Sequence, residues 1–188
     1  MKIDIESSEL DGIKVIKPQV FQDSRGLFME MYRKDIFMEN FLDIDIVQVN
    51  FSRSKKNTVR GLHFQWEPPM GKLMTVMSGE AFLVAVDIRP NSKYLGEWYG
   101  IKISSEDRKF VWAPAGFARG FAALSDFVDI QYFTTGIYNE DCESGVRWND
   151  PKIDIRWPVQ NPELSDKDIT AQSLDSWLQT EESKFFNI

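Results

Sequence analysis

The sequence predicts an all-β domain, an antiparallel sandwich or jelly roll with short helices towards its ends. Between residues 46 and 135 one apolar, ring-rich stretch follows another, each closed by Gly, Pro, Asn or Asp. Six Trp and 14 Phe supply the large rings that half-buried pleated surfaces favour. Helical spacing is confined to residues 34–40 and to the segment after Pro162.

In chain order, IKVIKPQV (13–20) reads as a strand, and Asp23-Ser24-Arg25-Gly26 is a turn signal before a second strand, LFMEMY. A short helix over 34–40 precedes IVQVNFS (46–52). The remaining strands are TVRGLHFQ, KLMTVM, AFLVAVDI, WYGIKI, KFVWAP, GFARGFAAL and FVDIQYFTT. Turn chemistry separates them: PPMG, SGE, RPNSKYLG and PAG. This many short strands at such spacing argues for a sandwich rather than a parallel sheet. After Pro162, Ile169, Leu174, Trp177 and Leu178 are the apolar positions of a helical segment. With no repeat or linker-like run, residues 1–188 read as one domain whose core spans about 46–135.

Composition narrows the function. A net charge of −7, spread along the chain, gives no global attraction to nucleic acid. An anionic ligand would need a local basic cluster. No apolar run approaches the ~18 residues of a membrane span, and the acidic N-terminal stretch lacks the apolar centre of a signal peptide. A single cysteine, Cys142, rules out an internal disulfide, and these features together predict a cytoplasmic location. One His and one Cys are too few for a usual zinc or non-haem iron site, which leaves a carboxylate-bound magnesium site as the metal alternative and argues against metal catalysis.

Strand alternation assigns faces. Val128, Ile130, Tyr132 and Thr134 share one face; so do Phe117, Arg119 and Phe121; so do Lys72, Met74 and Val76. Each set places one polar group on an otherwise apolar face. Buried cations are costly without a partner, so Arg119 and Lys72 call for an anion. His63 is the natural base near pH 7, although a lone histidine is by itself more often a structural hydrogen-bonding group. In a regular strand, Arg60 and His63 fall on opposite faces, so either Arg60 precedes the strand or a bulge intervenes.

Seven runs, in order, carry a specific resemblance: VFQDSRGLFME (20–30), VQVNFS (47–52), VRGLHFQ (59–65), GKLMTVMSGEAFLVAVDIR (71–89), APAGFARGF (113–121), YFTT (132–135) and RWNDP (147–151). Together they resemble the dTDP-4-dehydrorhamnose 3,5-epimerase family from about residue 8 to residue 170. The resemblance implies a cupin-type jelly roll, a homodimer, a nucleotide-sugar substrate and no cofactor. It implies that His63 removes the proton alpha to the C4 ketone and that Tyr132 is the general acid. Lys72 matches the lysine set against the enolate, and Asp168 the aspartate that orients the histidine. Ser165 to Asp168 also fits a capping box, a competing use for the same residue. Substrate-holding positions carried over are Arg25, Glu30, Gln48, Asn50, Arg60, Tyr138, Glu143 and Lys167. Arg119 joins them in place of the family's usual histidine, at a position that meets the substrate phosphate in relatives.

That replacement, and TTGIYNE after Tyr132, bear on the exact reaction. Within the family's chemistry the rivals are single-centre epimerisation or 3,4-ketoisomerisation of a related dTDP-, GDP- or CDP-sugar. Outside it, the rival is a jelly-roll module that binds a sugar nucleotide without chemistry, which would require neither His63 nor Tyr132.

Overall fold

The computed structural model describes residues 2–40, 42 and 44–187. Its strands are β1 (Ile3–Ser7), β2 (Lys14–Pro18), β3 (Val20–Asp23), β4 (Gly26–Met29), β5 (Gln48–Lys55), β6 (Val59–Gln65), β7 (Lys72–Ser78), β8 (Glu80–Asp87), β9 (Trp98–Ser104), β10 (Phe110–Ala113), β11 (Phe117–Ala123), β12 (Phe127–Thr134) and β13 (Glu143–Gly145). Among the described residues there are three short α-helices, α1 (Lys34–Glu39), α2 (Asp166–Ile169) and α3 (Leu174–Leu178), and two 3-10 turns, Glu140–Cys142 and Glu182–Phe186.

The strands form two sheets, in the orders β1-β2-β10-β7-β12-β5 and β13-β6-β11-β8-β9, with β3 and β4 a separate hairpin. Every strand pair is antiparallel. Between the sheets Met74, Val76, Leu83, Val111, Phe117, Phe121, Val128 and Ile130 form the central core. A second apolar layer lies behind the five-stranded sheet, where Trp177 and Phe186 pack on Phe64. A third lies behind the six-stranded sheet, with Phe37, Phe110 and Phe133. Because β8 is covered on both faces, it reads as a continuous apolar run instead of an alternating one.

Strand positions agree with the sequence reading to within a few residues, but three details differ. The stretch 13–20 is broken after Pro18 into β2 and β3, since proline has no N–H to continue a ladder. β1 and β13 carry too few apolar residues to register as strands in sequence. The C-terminal helical segment is two separate pieces, each capped by a serine, and Ile169 is exposed instead of packed. Among the described residues no helix is long and apolar enough to cross a membrane.

Candidate active site

A cavity of about 310 Å³ opens between the two sheets at one end of the sandwich. From the five-stranded sheet it takes Arg60 and His63 of β6 and Arg119, Gly120 and Phe121 of β11. From the six-stranded sheet it takes Asn50 and Ser52 of β5, Lys72 and Met74 of β7, and Tyr132 and Thr134 of β12. Tyr138 and Glu143 close one side.

The parity conflict between Arg60 and His63 is resolved by a bulge. His63 pairs with Arg119 and Arg60 with Phe121, so three steps on β6 face two on β11. Gly61 takes up the extra residue at φ +108°. A Cβ there would lie 2.5 Å from the Arg119 carbonyl oxygen, so no larger residue fits. The bulge turns both Arg60 and His63 towards the cavity, where Arg60 Nε donates to Ser54 Oγ on the opposite sheet at 2.9 Å.

His63 is held by Asp168. Nε2 lies 2.6 Å from Asp168 Oδ1, and because the carboxylate accepts, Nε2 carries the proton and Nδ1 is left as the basic nitrogen. Asp168 also accepts from Ser165 Oγ (2.8 Å) and from the Gly61 N–H (3.3 Å). Burial would push its carboxyl up, but the His63 hydrogen bond and charge, with those two donors, hold it below the usual carboxylate range. Of the two uses expected of Asp168, its carboxylate serves the histidine, and only the serine half of the capping box forms. Ser165 caps α2 by accepting the Asp168 N–H, while the carboxylate is turned to the histidine.

Tyr132 stands on the other sheet. Its hydroxyl is 2.7 Å from Ser52 Oγ, and burial raises its pKa against smaller opposing effects of that hydrogen bond and the Arg60 charge. It therefore keeps its proton throughout the neutral range. Lys72 is pulled down to about 8, first by burial and then by the cations Arg119 and Lys167, with the Glu143 carboxylate opposing. Arg119 is 4% exposed and lowered to about 9 by burial.

Of the other sequence-predicted positions, Glu143 is paired with Lys167 and accepts from Tyr138 Oη at 3.1 Å, forming a cluster beside His63. Gln48 binds the Asn50 side chain and the Tyr138 N–H. Arg25 and Glu30 do not line this cavity. Arg25 is on the β3–β4 turn with its side chain 88% exposed and paired to Asp23, and Glu30 follows β4 beside Arg33. Motif matching carries no information on which copy of a chain a residue serves. Ser52 and Met70 were not singled out in sequence. Alternation along β5 offered a signal for Ser52, which shares a face with Gln48 and Asn50. Among the described residues no three of His, Cys, Asp and Glu come together to hold a metal ion.

The dTDP-4-dehydrorhamnose 3,5-epimerase family model matches residues 7–176. A curated relative from Methanothermobacter thermautotrophicus bearing that name is 44% identical, over 95% of each chain. One from Neisseria gonorrhoeae is 45% identical over 96% of this chain, which spans 55% of that relative's length. Among solved structures, a dTDP-6-deoxy-D-glucose-3,5-epimerase from Legionella pneumophila, in complex with dTDP-4-keto-L-rhamnose, superposes with a TM-score of 0.91. It is 39% identical, and the match covers 97% of both chains. With the motifs in order, the sandwich reproduced and the match spanning nearly the whole sequence, the chain belongs to the dTDP-4-dehydrorhamnose 3,5-epimerase family.

Proposed function

We propose that this chain inverts C3 and C5 of a dTDP-linked 4-keto-6-deoxyhexose, converting dTDP-4-dehydro-6-deoxy-D-glucose to dTDP-4-dehydro-L-rhamnose. One observation carries the reading: a carboxylate-held imidazole on one sheet faces a half-buried, protonated phenol on the other, across a single cavity. Inversion requires a proton to leave one face of a carbon and another to arrive at the opposite face, and two groups on opposite walls suit that demand. His63 Nδ1 takes the proton alpha to the C4 ketone, the electron pair moves to O4 as an enolate, and Tyr132 returns a proton from the far side. No electron is gained or lost, so the step requires no redox partner. Lys72 Nζ supplies positive charge where O4 becomes anionic. Arg60, Asn50, Gln48, Tyr138 and the Glu143–Lys167 pair lie around the opening, suited to the diphosphate and nucleotide.

The test is incubation with dTDP-4-keto-6-deoxyglucose in heavy water, with and without a strong chelator. Deuterium is expected at both C3 and C5 with inversion at each, unaffected by chelation. Label at one centre only would make the chain a single-centre epimerase. No label would remove the epimerase reading, and loss of turnover restored by a divalent ion would remove the metal-free one.

The Lys72 ammonium gives the free enzyme a basic limit. Its pKa of about 8 lies below the ordinary lysine range, so the positive charge is present below about pH 8 and lost as pH rises through it. A plot of kcat/KM against pH is expected to fall above about 8. In Lys72→Arg that limb should move up by at least a unit, and an unmoved limb would assign it to another group.

We further propose a homodimer, in the cytoplasm and without nucleic-acid partners. β5 is inverted: Asn50, Ser52 and Ser54 face inwards, while Val49 and Phe51 are 50% and 63% exposed on an edge strand. Phe21, Leu27 and Phe28 of the β3–β4 hairpin are also exposed, and a second copy covering these surfaces would give Arg25 and Glu30 a route to a substrate. A sedimentation mass of one 21.8 kDa chain would remove this part of the reading.

A further inference from the structure

Arg119 is a fixed cation in the middle of an apolar core. Its β11 neighbours on the same face are Phe117 and Phe121, both about 1% exposed. The side chain crosses the sandwich. Nε donates to the Val84 carbonyl of its own sheet at 3.2 Å, and Nη1 donates to the Lys72 carbonyl of the facing sheet at 3.0 Å, with the Val111 carbonyl at 3.5 Å. Nη2 is buried and has no hydrogen-bond partner. Among the described residues no carboxylate forms an ion pair with the guanidinium. Three carbonyl dipoles solvate the group without neutralising it, and a buried charge left without a counter-charge is expensive.

A protein retains such a cost where an anion appears. Two anions could enter this cavity, and depth separates them. The diphosphate is tethered to a nucleotide too large for about 310 Å³ alongside the sugar, so it must sit towards the opening, where Arg60 and Lys167 are exposed. The sugar ring must lie between His63 and Tyr132 for the proposed chemistry. Arg119 is the cross-strand neighbour of His63 and is bonded to the backbone of Lys72, so it lies beneath the sugar.

We propose that Arg119 is an electrostatic floor for the enolate: a cation whose missing counter-charge is the oxyanion that forms on the sugar during proton abstraction. The proposal rests on the epimerase reading above and deepens it. The neutral keto sugar leaves Arg119 uncompensated and the enolate compensates it, so the charge favours the transition state over bound substrate. The Lys72 ammonium, further exposed to the cavity, serves the same oxygen directly. The diphosphate, charged before and after the reaction, would gain from Arg119 equally in both states and would reveal it in binding alone.

Charge and hydrogen bonding are separable here. Arg119→Gln keeps donors for the carbonyls but is neutral, whereas Arg119→Lys keeps the cation. Thermal unfolding checks that each variant is folded, dTDP affinity reads the nucleotide and diphosphate contacts, and deuterium wash-in at saturating substrate reads enolate formation. The expected result is wash-in lowered by about 100-fold or more in Arg119→Gln, the range for losing one preorganised oxyanion stabiliser. In Arg119→Lys it stays within about tenfold, and dTDP affinity stays within about twofold in both. Wild-type wash-in in Arg119→Gln would overturn the proposal. So would equal losses in the two variants, which would make Arg119 a staple between the sheets, and so would weakened dTDP binding with the saturating rate intact, which would return it to the diphosphate. If Arg119→Gln does not fold, Arg119→Met takes its place. If neither neutral residue folds, Arg119→Lys decides: a wash-in loss beyond about tenfold, or lost dTDP affinity, overturns the proposal. Absence of wash-in in the wild type would instead strike the epimerase reading itself.

Discussion

His63→Asn is expected to abolish both deuterium wash-in and inversion, by about 10²–10⁴-fold, the usual contribution of a positioned general base. An amide is close in shape to imidazole and can still donate to Asp168, so the variant should fold and bind dTDP normally. What it lacks is a lone pair basic enough to take a carbon-bound proton near neutral pH. Asp168→Asn should fall within the same range for a different reason. The carboxylate fixes the tautomer by accepting the Nε2 proton at 2.6 Å. An amide can present a donor there and push the proton to Nδ1, the nitrogen that must be free. The comparison is made by NMR at saturating substrate, so that a change in affinity is not mistaken for loss of the base. Continued exchange in His63→Asn would mean that another group removes the proton.

Tyr132→Phe is expected to separate the two halves of the reaction. With His63 intact the enolate still forms, and the deuterated imidazole returns label to the face the proton left. Wash-in should stay within about tenfold of the wild type while inverted sugar falls by about 10²–10⁴-fold. The loss of one hydroxyl leaves Ser52 Oγ without its 2.7 Å partner, which costs about 1 kcal/mol and should not unfold the chain. Inversion at the normal rate would make Tyr132 a core tyrosine and require another donor on that wall, for which Ser52 is the nearest group.

These experiments also test which parts of the site the sequence was competent to assign. Alternation in GFARGFAAL and KLMTVM placed Arg119 and Lys72 on inward faces, and the structure places both there. The same rule applied to VRGLHFQ gave a conflict, because it assumes a regular strand and Gly61 interrupts one. The rule could detect the conflict, and only the β6–β11 register could choose the bulge. Asp168 shows a different limit. It lies 105 residues from His63, so no local pattern joins them, and a local pattern (the serine cap) competes for the same aspartate.

The sequence by itself determined the all-β architecture, the position of nearly every strand in the sandwich and the family, and it supplied the groups proposed here as acid, base and cation. These follow from side-chain chemistry and from a two-residue period that is a local property of the backbone. Tertiary structure alone decided that it is Nε2 of His63 that meets Asp168, that Tyr132 leans on Ser52, that Arg119 is buried without a counter-charge, and that Arg25 and Glu30 lie outside the cavity of their own chain. Each of these depends on which strands are neighbours and in what register. That is fixed by burial of all three apolar layers at once, a global balance that no short stretch of sequence records.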